Sequence, residues 1–336
     1  MRILHAPMNI AGQATMISRA QRELGHISDV LVAKQEVWNY ECDFNLEIDK
    51  KGILGQILIV LKYFFFALRT YDIFHFHLAY SFFPYNLDLY ILRLFGKKVV
   101  MQYWGSDIIQ VPIAKEYTLL TGEDLKSVSS RQDDEKIKKK IKRIHSVANL
   151  TLVGDYSLLP YAPLCKVSRQ AFDISRIPYI GCEQSEHRIK IIHAPTNRKI
   201  KGTDYIVKII NRLQEEGFDI ELRIIEKTPN EIALQLYRDA DIAIDDILQG
   251  PYGIFAIECM CMGKPVMGRI DPKLLNYYSD LPILNTNPQN LYENLITLIK
   301  DKALRCALGK KGREYVEMNH NSKMIANNLL NLYSRL

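Results

Sequence analysis

The stretch Gly250-Pro251-Tyr252-Gly253-Ile254-Phe255-Ala256-Ile257-Glu258-Cys259-Met260-Cys261-Met262-Gly263-Lys264-Pro265-Val266 reads as a glycine turn, a short apolar helix carrying one acid, and the start of a strand. Gly253 lets the backbone approach a ligand closely, and the helix that follows aims its unpaired N–H groups and the positive end of its dipole at whatever anion lies there. A diphosphate suits that end. Glu258 falls about one and a half helical turns inside, where a carboxylate accepts two hydrogen bonds from the vicinal hydroxyls of a ribose. Gly263 stops the helix and Pro265 opens the next strand. The competing reading is an ordinary helix N-terminus with a capping or solvated acid.

Outward from this stretch, strand and helix signals alternate along the whole chain, which predicts an α/β fold of parallel sheets covered by helices. Arg2 to His5 reads as a strand, residues 11–24 as a helix stopped by Gly25, and residues 27–32 as a second strand. Asp72-Ile73-Phe74-His75-Phe76-His77, Lys97-Lys98-Val99-Val100-Met101-Gln102-Tyr103 and Leu150-Thr151-Leu152-Val153-Gly154 continue a Rossmann-like half. Residues 168–181 lose the pattern and suit a linker. Arg188-Ile189-Lys190-Ile191-Ile192-His193 then opens a second series, followed by strands over 220–225 and 241–244. A last helix over 322–336 carries Ile325, Leu329, Leu332 and Leu336 on one stripe.

The Gly253–Glu258 segment resembles the donor-binding motif of the retaining, family-4-like GT-B glycosyltransferases, and the resemblance runs over nearly the whole chain. It implies two Rossmann-like domains facing a central cleft. The expected division is an acceptor-binding domain over 1–172, a linker over 173–186, a nucleotide-sugar domain over 187–315, and a C-terminal helix over 316–336 that crosses back onto the first domain. Family members carry two glutamates in this motif. The second, which binds the donor ribose, matches Glu258; the first falls at Gly250, so that acid is missing here and the departure bears on which sugar is held.

After the strand ending at His193 comes Ala194-Pro195-Thr196-Asn197-Arg198-Lys199-Ile200-Lys201-Gly202-Thr203, a basic turn before a helix. Loops at the C-terminal ends of parallel strands share one edge, so this turn and Gly253 face the same site. Arg198 can fork across phosphate oxygens and Lys201 can supply a point charge, similar to the cations with which the family neutralises the leaving nucleoside diphosphate. A solvated basic turn is the alternative. Asp107, in Tyr103-Trp104-Gly105-Ser106-Asp107, is a candidate catalytic carboxylate with Arg198 and Lys201, or else a loop cap; Trp104 stands where relatives have a histidine. Gly12 in Met8-Asn9-Ile10-Ala11-Gly12 replaces the family's glycine-rich loop. Glu258, Gly253, Ile254, Tyr252, Asn197, Gly12 and Asp246 make the expected nucleotide-sugar-binding set, with Asp245 and Asp246 orienting the donor loop or base.

No metal or other cofactor is expected beyond the nucleotide-sugar co-substrate, taken as a UDP-sugar. His75 and His77 share a strand face, but no third ligand is recognisable. Asp239-Ala240-Asp241 matches the metal-binding Asp-x-Asp of a different glycosyltransferase architecture, yet here it precedes a strand at a helix end. In a retaining enzyme of this kind the leaving phosphate itself takes the acceptor proton, which dispenses with a protein base. The expected activity is hexosyl or N-acetylhexosaminyl transfer to a lipid-linked or surface glycan. A catalytically silent subunit that binds a glycan or a partner transferase, and a nucleotide-sugar epimerase, are the other readings.

Composition agrees with a folded protein of two domains: 336 residues, 48% hydrophobic and 24% charged. The first residues read as a strand rather than an export signal. The six cysteines have no framework spacing and are read as reduced thiols of a cytoplasmic protein. Residues 52–68 are the most apolar run; Gln56 and Lys62 interrupt it and it is short for a membrane span, so it is expected as a buried or surface-lying helix. The net charge of +6 is concentrated in Lys136-Ile137-Lys138-Lys139-Lys140-Ile141-Lys142-Arg143-Ile144. That helix either lies on the anionic inner face of a membrane or is simply solvated. Nucleic acid is excluded as a partner by the absence of aromatic-basic interleaving and of a binding module.

Overall fold

The computed structural model describes residues 1–35, 40–128, 133–182, 188–278 and 280–336. It divides into two compact units, one formed by Met1–Val111, Ser129–Asp173 and His320–Leu336, the other by Pro112–Val128 and Ile174–Asn319. The segment Pro112–Val128, expected in the first domain, therefore packs with the second. Part of the expected linker, residues 183–186, lies outside the described residues.

The first unit is built on strands β1 (Arg2–Ala6), β2 (Ile27–Val32), β3 (Phe44–Asn45), β4 (Ile73–His77), β5 (Lys98–Tyr103), β6 (Leu150–Val153) and β7 (Lys166–Val167), all parallel, in the order β3-β2-β1-β4-β5-β6-β7. Helices α1 (Gln13–Glu23), α2 (Ile53–Thr70) and α3 (Asp88–Leu94) connect these strands; α4 (Val111–Tyr117) and α5 (Gly122–Val128) fall in the stretch that belongs to the second unit, and α6 (Asp134–Val147) returns to the first. Both faces of such a sheet are covered, so its central strands are buried on both sides: β4 is buried along its whole length, His75 and His77 included.

The second unit has β8 (Ile189–His193), α7 (Arg198–Lys201), α8 (Thr203–Glu215), β9 (Ile220–Ile224), α9 (Asn230–Arg238), β10 (Ile242–Ile244), α10 (Ile254–Cys261), β11 (Val266–Gly268), β12 (Ile283–Asn285), α11 (Leu291–Lys300) and α12 (Lys302–Asn319). Its sheet runs β12-β11-β10-β8-β9, also parallel. The chain leaves β8 first to one side and then to the other, so the loops after β8 and β10 flank the point where the winding reverses, the place where ligands enter sheets of this kind.

The final helix α13 (Ser322–Tyr333) belongs to the first unit, where Ile325, Leu329, Leu330 and Tyr333 close a core with Ile3, Ile17, Ile73 and Val100. One sequence expectation needs correction. Cys182 and Cys306 form a disulfide within the second unit, so the six cysteines are not all thiols; the partners are far apart in sequence, and only the fold brings their Cα atoms to 5.0 Å. Of the two placements expected for the apolar run over 52–68, the structure has the surface-lying one: in α2 only Phe64, Ala67 and Leu68 are buried.

Candidate functional site

The basic turn after β8 is shaped by two residues. Asn197 caps α7, its Oδ1 accepting the backbone N–H groups of Lys199 and Ile200 at 3.0 and 3.4 Å. Gly202 ends α7 with φ of 78°, and a Cβ there would meet Ile247 at 2.6 Å, so the turn requires glycine. The turn delivers Lys201, whose side chain is 17% exposed, to the carboxylates that follow β10: its Nζ lies 2.9 Å from Asp245 Oδ1 and 3.8 Å from Asp246 Oδ2. Burial works to lower the lysine pKa, but the two acids outweigh it and hold it above the ordinary lysine value.

Asp245 ties the site together. Its Oδ2 accepts the backbone N–H of Gly253 at 2.9 Å, so one buried carboxylate joins the basic turn to the N-terminus of α10. Asp246 shapes its own loop, Oδ1 accepting from the N–H groups of Leu248 and Gln249 at 2.9 and 2.7 Å, and burial pushes its pKa up. Lys201, expected to supply a free point charge, is therefore neutralised within the protein. Arg198 remains exposed and forks onto Glu226, with Nε and Nη2 at 3.0 and 2.5 Å from its two oxygens.

Glu258 is buried on the second turn of α10, and its Oε1 accepts from Asn230 Nδ2 at 2.8 Å. Burial raises its pKa to about 7, against the opposing effect of the Asn230 hydrogen bond. Glu226 comes from the loop after β9, a third loop on the same edge of the sheet, and Asn230 is the first residue of α9 that follows it; the sequence reading missed both. Pro229-Asn230 at a helix start after a strand was the available signal for Asn230.

Three details differ from expectation. Tyr252 turns inward, its hydroxyl 3.2 Å from that of Tyr315 and its ring edge-on to Tyr278, so its side chain serves the core. Gly253 has ordinary extended geometry (φ −109°, ψ −167°), so the backbone does not demand glycine; a Cβ would meet nothing within 4 Å, and this leaves an open approach beside Ile254, the first residue of α10. Gly250 has φ of 58°, and a Cβ on it would run into the Arg269 backbone carbonyl. The family's first glutamate cannot occupy this backbone.

In the first unit, Gly12 caps α1 with φ of 70° beneath the Tyr40 ring, which a Cβ would meet at 2.9 Å. Asp107 is buried; its Oδ1 accepts the N–H groups of Trp104 and Gly105 at 3.1 and 2.9 Å, its Oδ2 has no partner, and burial raises its pKa to about 6. It acts here as the clamp of the loop after β5.

His5 joins His75 and His77 to give a buried trio whose nitrogens lie within 4.8 Å of one another, the third ligand that the sequence did not show. Hydrogen-bond directions compete with metal ligation. Trp104 Nε1–H can only donate, and it donates to His77 Nδ1 at 3.1 Å. Neutral His77 then carries its proton on Nε2, which donates to His5 Nδ1 at 3.2 Å, and His5 Nε2–H donates to Gln21 Oε1 at 3.0 Å. His77 and His5 are thus links in a directed chain that a metal would have to break, while His75 pairs through Nδ1 with the Tyr333 hydroxyl at 2.6 Å and its Nε2 has no partner. Asp241 of the Asp-x-Asp accepts from the Lys190 N–H at 2.8 Å at the opposite end of β10 from the site, a structural clamp.

No protein-family model matches the chain, and no curated protein matches it. Solved structures do. Sucrose-phosphate synthase from Thermosynechococcus elongatus is similar with a TM-score of 0.70 at 13% identity, over 100% of this chain and 99% of that one. Anabaena HepE, solved with UDP-glucose, gives 0.64 at 14% identity over the whole of both chains. The fold is GT-B. The S. aureus MnaA structure with UDP gives 0.54 at 13% identity, over 98% and 95% of the two chains.

Proposed function

We propose that this protein is a glycosyltransferase whose donor is a UDP-sugar held by the second unit. The observation that carries the reading is Glu258, a buried carboxylate on α10, steadied by Asn230 and set behind the helix N-terminus at the reversal point of the sheet. A carboxylate there suits ribose hydroxyls, and the N-terminus of α10 with Arg198 suits the diphosphate. The UDP-glucose in HepE and the UDP in MnaA, on the same fold, support the choice of donor.

Chemically, α10 and Arg198 stabilise the departing diphosphate, and Arg198 must leave Glu226 to do so. Lys201 acts indirectly, fixing Asp245 and through it Gly253. The sugar is hexosyl or N-acetylhexosaminyl and the acceptor a glycan or its lipid-linked form. The diphosphate oxygen takes the acceptor proton, so the anomeric configuration is retained and no metal is required.

Calorimetry with UDP and 2′-deoxy-UDP tests the site. Glu258→Gln is expected to cost UDP about tenfold or more in affinity and the deoxy analogue much less; equal losses would remove the ribose contact. Proton NMR of the product formed with a chelator present tests the mechanism, an inverted anomeric coupling or loss of turnover counting against it. The catalytically silent subunit remains the second reading, favoured by the neutralised Lys201 and by the glycine at 250. Donor binding without turnover on any acceptor would select it.

A further inference from the structure

The first unit exposes an apolar face that its own core does not use. α2 has 18 residues, and its C-terminal half is anchored: Phe64, Ala67 and Leu68 are buried, Phe64 packs on Phe82 and Phe83, and Tyr63 and Phe66 stand edge-on to Phe44. Its N-terminal half is bare. Ile53 is 80% exposed, Leu54 70% and Leu58 59%. Leu54, Ile57, Leu58, Leu61 and Phe65 fall at helical spacing on one outward stripe, the reverse of a surface helix that turns its apolar side inward.

Further apolar side chains are exposed on the segment that follows, up to the end of α3. Tyr85, Leu87, Tyr90 and Leu94 are exposed, Leu94 by 84%. Cations of α6 border them: Lys140 lies 5.7 Å from the Tyr80 ring, and Arg143 lies 5.9 Å from the Tyr85 ring and donates to Asn86 Oδ1 at 3.3 Å. Between residues 51 and 71 the only charges are Lys51, Lys62 and Arg69; between 79 and 98 the single acid is Asp88, buried against Ser81, Phe82 and Phe83. The exposed charges on both segments are therefore all positive.

We propose that this face docks on an anionic bilayer, the outer stripe of α2 lying among the acyl chains of one leaflet and Lys62, Lys140 and Arg143 at the level of the phosphates. Aromatic side chains bordered by snorkelling cations are the chemistry of the headgroup boundary. A second copy of the chain fits poorly, because a two-fold contact would set Lys51 and Lys62 against like charges. The whole of α2 is long and apolar enough to cross a bilayer, but the burial of Phe64, Ala67 and Leu68 in the first unit argues against crossing. The free part of α2, up to Lys62, rises only about 15 Å against a hydrocarbon core of about 30 Å. With Lys51 before the stripe and Lys62 after it, the helix lies in the plane of the surface.

The test is flotation of the full chain with vesicles of phosphatidylcholine alone or of equal parts phosphatidylcholine and phosphatidylglycerol. The protein is expected to float with the anionic vesicles. Leu54→Glu with Leu58→Glu should lower partitioning by about tenfold or more, with an unchanged thermal transition because both positions are exposed. Lys140→Gln with Arg143→Gln should weaken it most at low salt, and the difference from wild type should shrink as salt rises and screens the attraction. Absence of wild-type flotation, or undiminished flotation of the double glutamate variant, would overturn the proposal. So would a lipid-free dimer that the glutamates dissociate, which would assign the face to a second copy.

Discussion

Gly250 stands where the donor-binding motif that this segment resembles has its first glutamate, and the backbone shows why an acid is not accommodated there. Its left-handed φ of 58° penalises any side chain by about 1 kcal/mol, and the Arg269 carbonyl occupies the space that a Cβ would need. Arg269 is itself fixed: it donates to the carbonyls of Tyr117 and Gln249 at 2.8 and 3.2 Å and pairs with Asp271 at 2.6 Å. Restoring the family acid by Gly250→Glu is therefore expected to lower stability by at least about 2 kcal/mol, read as a fall in the thermal transition, and not to raise turnover. A stable, more active variant would show that the turn can be rebuilt. Sequence reading singled out Glu258, Arg198 and Lys201, because each lies in a contiguous run with a recognisable order of turn, cation and helix. It could not see that Lys201 is spent on Asp245 or that Arg198 rests on Glu226, since those partners follow other strands and meet only at the sheet edge.

At the scale of elements, most strands and the helices α1, α2, α6, α10 and α13 were legible to within a few residues, because apolar runs between glycine and proline punctuation fix them, whereas α3, α4, α5, α9, α11 and α12 were not placed. Close packing was not legible. α12 passes so near the end of α10 that a Cβ on Gly309 would overlap the Gly263 carbonyl, and one on Gly312 would meet Met260 at 3.1 Å. Helical glycines lower propensity by about 1 kcal/mol each, and here that cost permits the contact that backs the Glu258 helix. Gly309→Ala gains helix propensity yet is expected to destabilise the second unit by about 1–3 kcal/mol and to weaken UDP binding, because the end of α10 must move. Chemical denaturation and calorimetry check both. A variant as stable as wild type would mean that the helices separate freely. The disulfide was equally hidden, because Cys182 and Cys306 become neighbours only through the fold.

For the whole molecule, buried titratable groups set opposite responses to acid in the two units. In the first, burial lowers His5 and His320 to about 4 and holds His75 and His77 well below the ordinary value. Each histidine binds a proton when unfolded but not when folded, so it contributes stability above about pH 6.5 that is lost as pH falls toward 4, up to about 1.4 kcal/mol per pH unit. Asp107, raised to about 6, and Asp88, also raised by burial, oppose this, because folded carboxyls that hold protons lose stability as pH rises. Among the described residues the histidines outweigh them. The second unit has the reverse balance, with His193 at about 4 against Glu258 at about 7 and a raised Asp246. Between pH 7 and 5 the first unit should therefore lose stability while the second holds or gains. Hydrogen exchange followed by mass spectrometry is expected to show protection falling first in β1, β4 and α13, with β8, β10 and α10 still protected at pH 5. Earlier loss in the second unit would mean that the neutral histidine chain beneath Trp104 is not the acid-sensitive core that its burial implies.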